Sequence, residues 1–314
     1  MEIAFLHLSG GILLLYLGGN FLVSGSAGLA AHLGVRPLVA GLTIVGFATS
    51  MPELAVTLDA AIEGYSDIAV GNVVGSNICN IALILGLSAL IAPIRVDPQL
   101  FRVDIPIMLA SSALLVALLL DDRLTRAEGV LLILGILAYV SLHLWLVLVR
   151  RGEPDLVEQE NTAVQDSRAA RHVLFVVAGL ATLVLGGYFV VHGGVELATA
   201  IGVSNAVIAL TVVAVGTSLP ELSTAIIAAV RSQGDIVLGM VIGTNIFNIL
   251  AILGLTASIQ PLVRGGVGWL DLGVMFSVSI LIVPLLWSRL RLGRSEGVLL
   301  LLGYACFSWW RLAA

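Results

Sequence analysis

The chain has 314 residues, 59% of them apolar and only 11% charged, with a formal net charge of −5 and a mean hydropathy of +1.09. This balance excludes an ordinary soluble domain and reads as a membrane protein. The negative charge gathers around residues 150–171 and no basic patch accompanies it, which argues against nucleic-acid or anionic-lipid binding.

Apolar segments long enough to cross ~30 Å of hydrocarbon run over about 3–31, 38–62, 67–91, 101–120, 127–149, 171–199, 206–230, 235–259, 269–287 and 295–312. The sequence therefore predicts ten spans. The first lacks the positively charged start of a signal peptide and has a counterpart in mid-chain that could not be cleaved, so it is read as a span. Cys79 and Cys306 lie in apolar stretches without partner spacing and signal neither a disulfide nor a metal site. The sustained polar stretch RRGEPDLVEQENTAVQDSRAARH reads as a solvated linker. The expected organisation is a first repeat over 1–149, a polar cytoplasmic linker over 150–171 and a second repeat over 172–314.

That repeat is visible at a constant offset. TSMPELAVTL at 49–58 returns as TSLPELSTAI at 217–226, with Glu53 and Glu221 168 positions apart. At the same offset Gly18-Gly19 matches Gly186-Gly187, Gly34-Val35 matches Gly202-Val203, Asp67-Ile68 matches Asp235-Ile236, Pro93 matches Pro261, and Glu128-Gly129 matches Glu296-Gly297. Each half holds five expected spans. Five is odd, so a weaving chain must insert its second half upside down, the inverted repeat of secondary transporters. The fold class expected is an all-α polytopic membrane protein of ten transmembrane helices, two inverted five-helix repeats with broken helices at an ion site. All basic residues are Arg; with both termini outside, eleven fall on inner loops and four (Arg123, Arg126, Arg264, Arg311) on outer ones.

Ser50-Met51-Pro52-Glu53 and Ser218-Leu219-Pro220-Glu221 have the spacing of a capping box with Pro in the first turn. By helical rise Glu53 lies about 22 Å along a ~38 Å span, so the helix start it marks is inside the membrane. Gly46-Phe47-Ala48-Thr49 would end the preceding half-helix and leave carbonyl oxygens facing a cavity, ready ligands for a cation. An ionised acid at that depth costs ~2.5–3.5 kcal/mol even on the lenient insertion scale. No Arg, Lys or His occurs between residues 37 and 94, and Arg231 is the only one between 205 and 263. A bound cation or a proton is left to neutralise each acid.

The partner motifs are GNVVGSNICNIALILG at 71–86 and GMVIGTNIFNILAILG at 239–254. Their glycine pairs, Gly71/Gly75 and Gly239/Gly243, read equally as small-residue helix packing. Ser76 and Asn80 share a helical face, as do Thr244 and Asn248, and Asn80 sits ~20 Å along its helix, again near the midplane. Glu53, Glu221, Thr49, Ser50, Thr217, Ser218, Ser76, Thr244, Asn77, Asn80, Asn245 and Asn248 thus converge on one depth. Hard oxygens select hard cations, and Ca²⁺ takes ~6–8 of them; two bidentate carboxylates with the Thr49 and Thr217 carbonyls would supply six, while the neutral oxygens suit Na⁺. No Cys, His or Met cluster supports soft-metal chemistry.

These paired motifs resemble the two repeats of the calcium/cation antiporter superfamily, specifically its prokaryotic sodium/calcium exchanger branch, and the resemblance covers all ten spans. It implies long first and sixth spans that slide across a core made of the others, exchanging Na⁺ for Ca²⁺ by alternating access, with the ions as substrates and with no cofactor, enzymatic activity or protein partner. It implies Glu53 and Glu221 as shared ligands, backbone oxygens from Gly46, Thr49, Ala214 and Thr217, and side-chain roles for Thr49, Ser50, Ser76, Asn80, Thr217, Ser218, Thr244 and Asn248. The expected location is the cell membrane. Some family members carry Asp where this chain has Asn248, which leaves stoichiometry open. The proton-coupled branch, whose motif resembles GNxxEL rather than TSxPEL, is the nearest rival; a cation channel and an intramembrane hydrolase are more distant ones.

Asp67 and Asp235 open their helices as expected N-caps. Asp59 matches Ile227 and gains no support from the repeat. Glu196 reads as a helix-end residue, the five His as interfacial side chains, and Trp309-Trp310-Arg311 as an interfacial anchor.

Overall fold

A computed structural model describes residues 2–150, 162–200, 214–287 and 290–313. The middle of the expected linker (151–161), the start of the seventh expected span (206–213) and the repeat position Gly202-Val203 lie outside the described residues. The helices in chain order are α1 (Glu2–Leu33), α2 (Pro37–Thr49), α3 (Met51–Ile62), α4 (Ser66–Ile91), α5 (Asp104–Leu118), α6 (Arg126–Arg150), α7 (Thr162–Ala200), α8 (Ala214–Thr217), α9 (Leu219–Val230), α10 (Gly234–Ile259), α11 (Trp269–Trp287) and α12 (Arg294–Ala313).

Seven of these helices, α5 taken with the turn that continues it to Asp121, are long and apolar enough to cross a membrane, and α2 with α3, bent by 41° at their junction, make an eighth candidate. This is a multi-pass membrane protein. The described residues do not by themselves reach the ten expected crossings. The 12 residues of α9 follow a stretch outside the description, and α12, 20 residues long, carries Arg294, Glu296 and Arg311.

The two halves interlock. Four two-residue strands, β1 (Ile94–Arg95), β2 (Arg123–Leu124), β3 (Leu262–Val263) and β4 (Arg291–Leu292), form two antiparallel pairs, β1 with β4 and β2 with β3. At the repeat offset β1 corresponds to β3 and β2 to β4, so each pair joins one half to the other and the two pairs are copies of one another. One face carries β1·β4 with Arg36, Asp97 and Asp235; the other carries β2·β3 with Asp67, Asp122 and Arg264.

Helices α1 and α7 pack antiparallel along their length on glycines seven residues apart. A Cβ added at Gly11, Gly18 or Gly25 would lie 2.7–2.8 Å from the backbone of α7 or from Val190, and one at Gly179, Gly186 or Gly193 would lie 2.6–2.8 Å from backbone atoms of α1. These six glycines are three repeat-related pairs. Behind them α10 is almost wholly buried, with Gly239 and Gly243 pressed against the backbone of Leu38 to Leu42. The small-residue packing reading therefore holds for the second motif.

Three local expectations need correction. Tyr65 and Gln233 occupy the N-cap positions of α4 and α10, with Asp67 and Asp235 inside the first turn and no side-chain cap hydrogen bond. Ser50 and Ser218 are N-caps by position but neither side chain caps. His143 is not interfacial: it is buried, with Nε2 2.8 Å from Asp104 Oδ1, which also accepts the Tyr139 hydroxyl at 3.2 Å. Its repeat counterpart is Arg311, 3.3 Å from Asp271, so in each half a cationic or ionisable side chain of the last helix ties to an acid at the start of the one before.

Candidate ion-binding site

Pro52 and Pro220 set the site. A proline inside a helix supplies no N–H to the carbonyl four residues earlier and clashes with it, which here affects Ala48 and Gly216; the α2–α3 bend falls at this point. The bend stops short of unwinding the chain. Ser50 N donates to Gly46 O at 3.2 Å and Leu54 N to Ser50 O at 3.0 Å. The serine hydroxyls take up other partners: Ser50 Oγ donates to Gly46 O at 2.7 Å, and Ser218 Oγ reaches across the repeat boundary to Glu53 Oε1 at 3.4 Å. A capping box would have folded Glu53 back on Ser50; here the carboxylate stays directed into the interior.

Glu53, Glu221, Thr49, Ser50, Ser76, Asn80, Thr217, Ser218, Thr244 and Asn248 are all buried. Gly46 O accepts from the Thr244 hydroxyl at 3.4 Å and the Thr49 hydroxyl at 3.4 Å, the latter also donating to Val45 O at 3.0 Å. Gly46 is thus brought to the second half, but with donors already on its carbonyl. Ser76 is buried without a hydrogen bond to the other site residues, and Ala214 opens α8 at the edge of the described residues.

Between α4 and α10 the amides form a reciprocal lattice. Asn77 Nδ2 donates to Asn245 O at 3.4 Å and Asn245 Nδ2 to Asn77 O at 3.3 Å; Asn80 Nδ2 donates to Asn245 Oδ1 and Asn248 Nδ2 to Asn77 Oδ1, each at 3.0 Å. Every one of these bonds has its copy at the repeat offset. With their N–H groups engaged in this lattice, Asn80 and Asn248 turn their oxygens inward.

Those oxygens lack partners. Glu53 Oε2, both oxygens of Glu221, Asn80 Oδ1 and Asn248 Oδ1 are buried with no hydrogen-bond partner among the described residues. Neither carboxylate has an ion pair there, and the two stand close enough for their charges to repel. Burying such groups unsatisfied costs several kcal/mol each when they are charged. Four repeat-related side chains therefore carry buried oxygens whose lone pairs a cation would stabilise. Among the described residues no group of three or more His, Cys, Asp or Glu is assembled, so a ligand set here mixes two carboxylates with amide and backbone oxygens, the hard-cation pattern.

The residue that sequence reasoning missed is Asn72. Its Nδ2 donates to Thr57 Oγ1 at 3.0 Å and to Glu53 O at 3.4 Å, while its Oδ1 accepts from Thr217 Oγ1 at 3.4 Å. It fixes the turn that bears Glu53 and links it to the second half. Its repeat counterpart is Met240, so the symmetry that singled out the other residues passes it over; a lone Asn at a buried-helix position was the available signal. Asn72→Ala is expected to weaken the binding of a hard cation at these oxygens about fivefold, the worth of about 1 kcal/mol of lost hydrogen bonding, as read by isothermal titration with Ca²⁺.

Comparison with known proteins gives the family. The family profile described as sodium/calcium exchanger protein matches residues 3–145 and 171–313. The chain is 38% identical to the inner membrane protein YrbG of Escherichia coli over 94% of this chain and 92% of that one. It is 35% identical to the putative antiporter CaxA of Alkalimonas amylolytica over 97% of each. It is 32% identical to the sodium/calcium exchanger MaX1 of Methanosarcina acetivorans over 98% of each. A solved structure of the sodium-calcium exchanger NCX_Mj, soaked with 2.5 mM Na⁺ and 1 mM Sr²⁺, superposes with a TM-score of 0.86 at 31% identity, covering 99% of this chain and 98% of that one. With matched profiles in both halves, relatives aligned nearly end to end and the same fold, this chain belongs to the sodium/calcium exchanger protein family.

Proposed function

We propose that the protein is a secondary active antiporter that exchanges Na⁺ for Ca²⁺ by alternating access at a midplane site built on Glu53 and Glu221. The observation that carries this is that oxygens of Glu53, Asn80, Glu221 and Asn248, matched in pairs between the two halves, are buried without a hydrogen-bond partner among the described residues. Thr49, Ser50, Thr217, Ser218, Ser76, Thr244 and the backbone oxygens of Gly46 and Ala214 complete the set. Two carboxylates balance one Ca²⁺; without it, Na⁺ ions at overlapping positions restore neutrality. Competition for the same carboxylates is what couples the two fluxes.

The proposed architecture is ten spans in two inverted five-helix repeats, with both termini outside and the linker cytoplasmic. The swapped strand pairs and the reciprocal Asn lattice support the two-fold relation between halves. The α1–α7 pair, joined by its glycines, moves as one body across the remaining helices. The protein is placed in the cell membrane, with Na⁺ and Ca²⁺ as its substrates.

The test is calcium uptake into sealed proteoliposomes of purified protein under an outward sodium gradient at clamped pH. Uptake that requires internal Na⁺ is expected. Uptake that follows a pH gradient and ignores Na⁺ would put proton coupling in its place, a reading that two neighbouring buried carboxylates also admit chemically.

A further inference from the structure

The two halves of the chain are copies in sequence but differ in how α1 and α7 meet the core. On the face that carries β1·β4, α1 lies against α9. A Cβ at Gly19 would stand 2.6 Å from Ile227 Cδ1 and 3.2 Å from Ser223 Oγ, and Ser223 Oγ donates to Leu15 O at 2.8 Å. Arg231, at the end of α9, donates to Ser24 Oγ at 2.6 Å and to Asn20 Oδ1. The repeat-related contact, α7 against α3 on the opposite face, has no comparable packing among the described residues. At Gly187, the counterpart of Gly19, the nearest described atom to an added Cβ is Gly216 O at 3.7 Å.

In an inverted repeat that alternates access, each half takes up the conformation of the other. The contact now made by α1 and α9 is then remade by α7 and α3. The positions correspond one to one: Arg231 with Glu63, Asn20 with Tyr188, Ser24 with His192. The turns that present Arg231 and Glu63 have the same backbone, with Ser232 at φ 58 and Gly64 at φ 89, and Gln233 and Tyr65 at φ/ψ −94/56 and −88/63. The polarity is exchanged but the complementarity is kept. Arg231 donates to two side-chain oxygens; at the copy, Glu63 is an acceptor and both Tyr188 and His192 are donors. Tyr188 and His192 already stack, ring centroids 4.1 Å apart. In this structure Glu63 and His192 are exposed and neither has an ion pair among the described residues.

We infer that Glu63, Tyr188 and His192 form a second latch that closes the β2·β3 face in the alternate conformation, as Arg231, Asn20 and Ser24 close the β1·β4 face in this one. The inference rests on the alternating-access reading. The two latches differ in chemistry. Arg231 is charged at every working pH, whereas an imidazole gives a carboxylate a full ion pair only when protonated. Acid on the β2·β3 face therefore holds that face shut and slows exchange, while the β1·β4 latch is indifferent to pH. The other titratable groups around His192 are Tyr188 and Glu196, the latter one turn on and 3.6 Å from His7 of α1; on α3 Asp59 lies one turn before Glu63. Helix α8 carries none, and the only one on α9 is the buried Glu221.

The experiment is disulfide cross-linking of full-length protein in proteoliposomes, in a Cys79→Ala, Cys306→Ser background that retains calcium uptake. One variant carries Glu63→Cys with His192→Cys, the other Asn20→Cys with Arg231→Cys. Calcium is placed on one side with sodium on the other, and the sides are then exchanged. The two cross-linking rates are expected to move in opposite directions by about tenfold. If the Asn20/Arg231 pair responds and the Glu63/His192 pair never cross-links, the second latch is overturned and alternating access stands. If neither pair responds, alternating access fails and takes the latch with it. A transplant provides an independent readout. Glu63→Arg with Tyr188→Asn and His192→Ser copies the existing latch, and is expected to keep exchange while losing the slowing by acid on the β2·β3 face; undiminished slowing would overturn the role of His192.

Discussion

Glu53→Gln and Glu221→Gln are each expected to abolish sodium-dependent calcium uptake while leaving the protein folded. The amide is isosteric with the carboxylate, so packing around the bend at Ser50 and around Ser218 is kept. What is lost is one of the two charges that balance Ca²⁺. Removing one partner of a buried charged interaction costs about 3–5 kcal/mol, more than a hundredfold in affinity at about 1.4 kcal/mol per decade. Binding measured by calorimetry and uptake measured in vesicles should fall together, with an unchanged elution profile and melting temperature. A Glu53→Gln protein that still carried calcium at near-native rate would remove Glu53 from the site.

Gly243→Ala is expected to cost stability rather than chemistry. A Cβ there would overlap the Leu42 carbonyl oxygen and lie 2.9 Å from its carbonyl carbon, and backbone on both sides leaves nothing flexible to yield. Overpacking of this kind costs about 1–3 kcal/mol, and because α10 is the most enclosed of the long helices the loss should appear as a lower unfolding temperature in detergent. Gly273→Ala is the matched control, since an added Cβ at that exposed position meets nothing within 4 Å. If both variants melt with the parent, close packing of α10 on α2 is not what holds this part of the core.

The repeat was legible without coordinates because duplication leaves a constant offset that insertion has not disturbed. The acids were legible because an unbalanced charge deep in an apolar run demands a partner, and none was present nearby in sequence. Glu53, Glu221, Asn80 and Asn248 follow from that logic, and in the structure each has a buried oxygen without a hydrogen-bond partner among the described residues. The logic failed where its premise failed. Asn72 bonds to Glu53 O, Thr57 and Thr217 but has Met240 as its counterpart, so symmetry concealed it. His143 read as interfacial because its partner Asp104 is 39 positions away, and pairing at that distance leaves no local pattern.

The sequence by itself determined that the chain lives in a membrane, that its halves are related by a constant offset, and which acids fall far inside apolar segments, since composition, offset and helical rise are all properties of the chain alone. Only the tertiary structure decided that the Ser218 hydroxyl bonds to Glu53 rather than capping its own helix, that the asparagines tie the halves together by exchanged bonds, and that α1 packs on α9 more closely than α7 packs on α3 among the described residues. Each of these depends on what the other half places opposite. Two related halves hold different contacts because each residue packs against what the other half presents, and the halves differ at those positions.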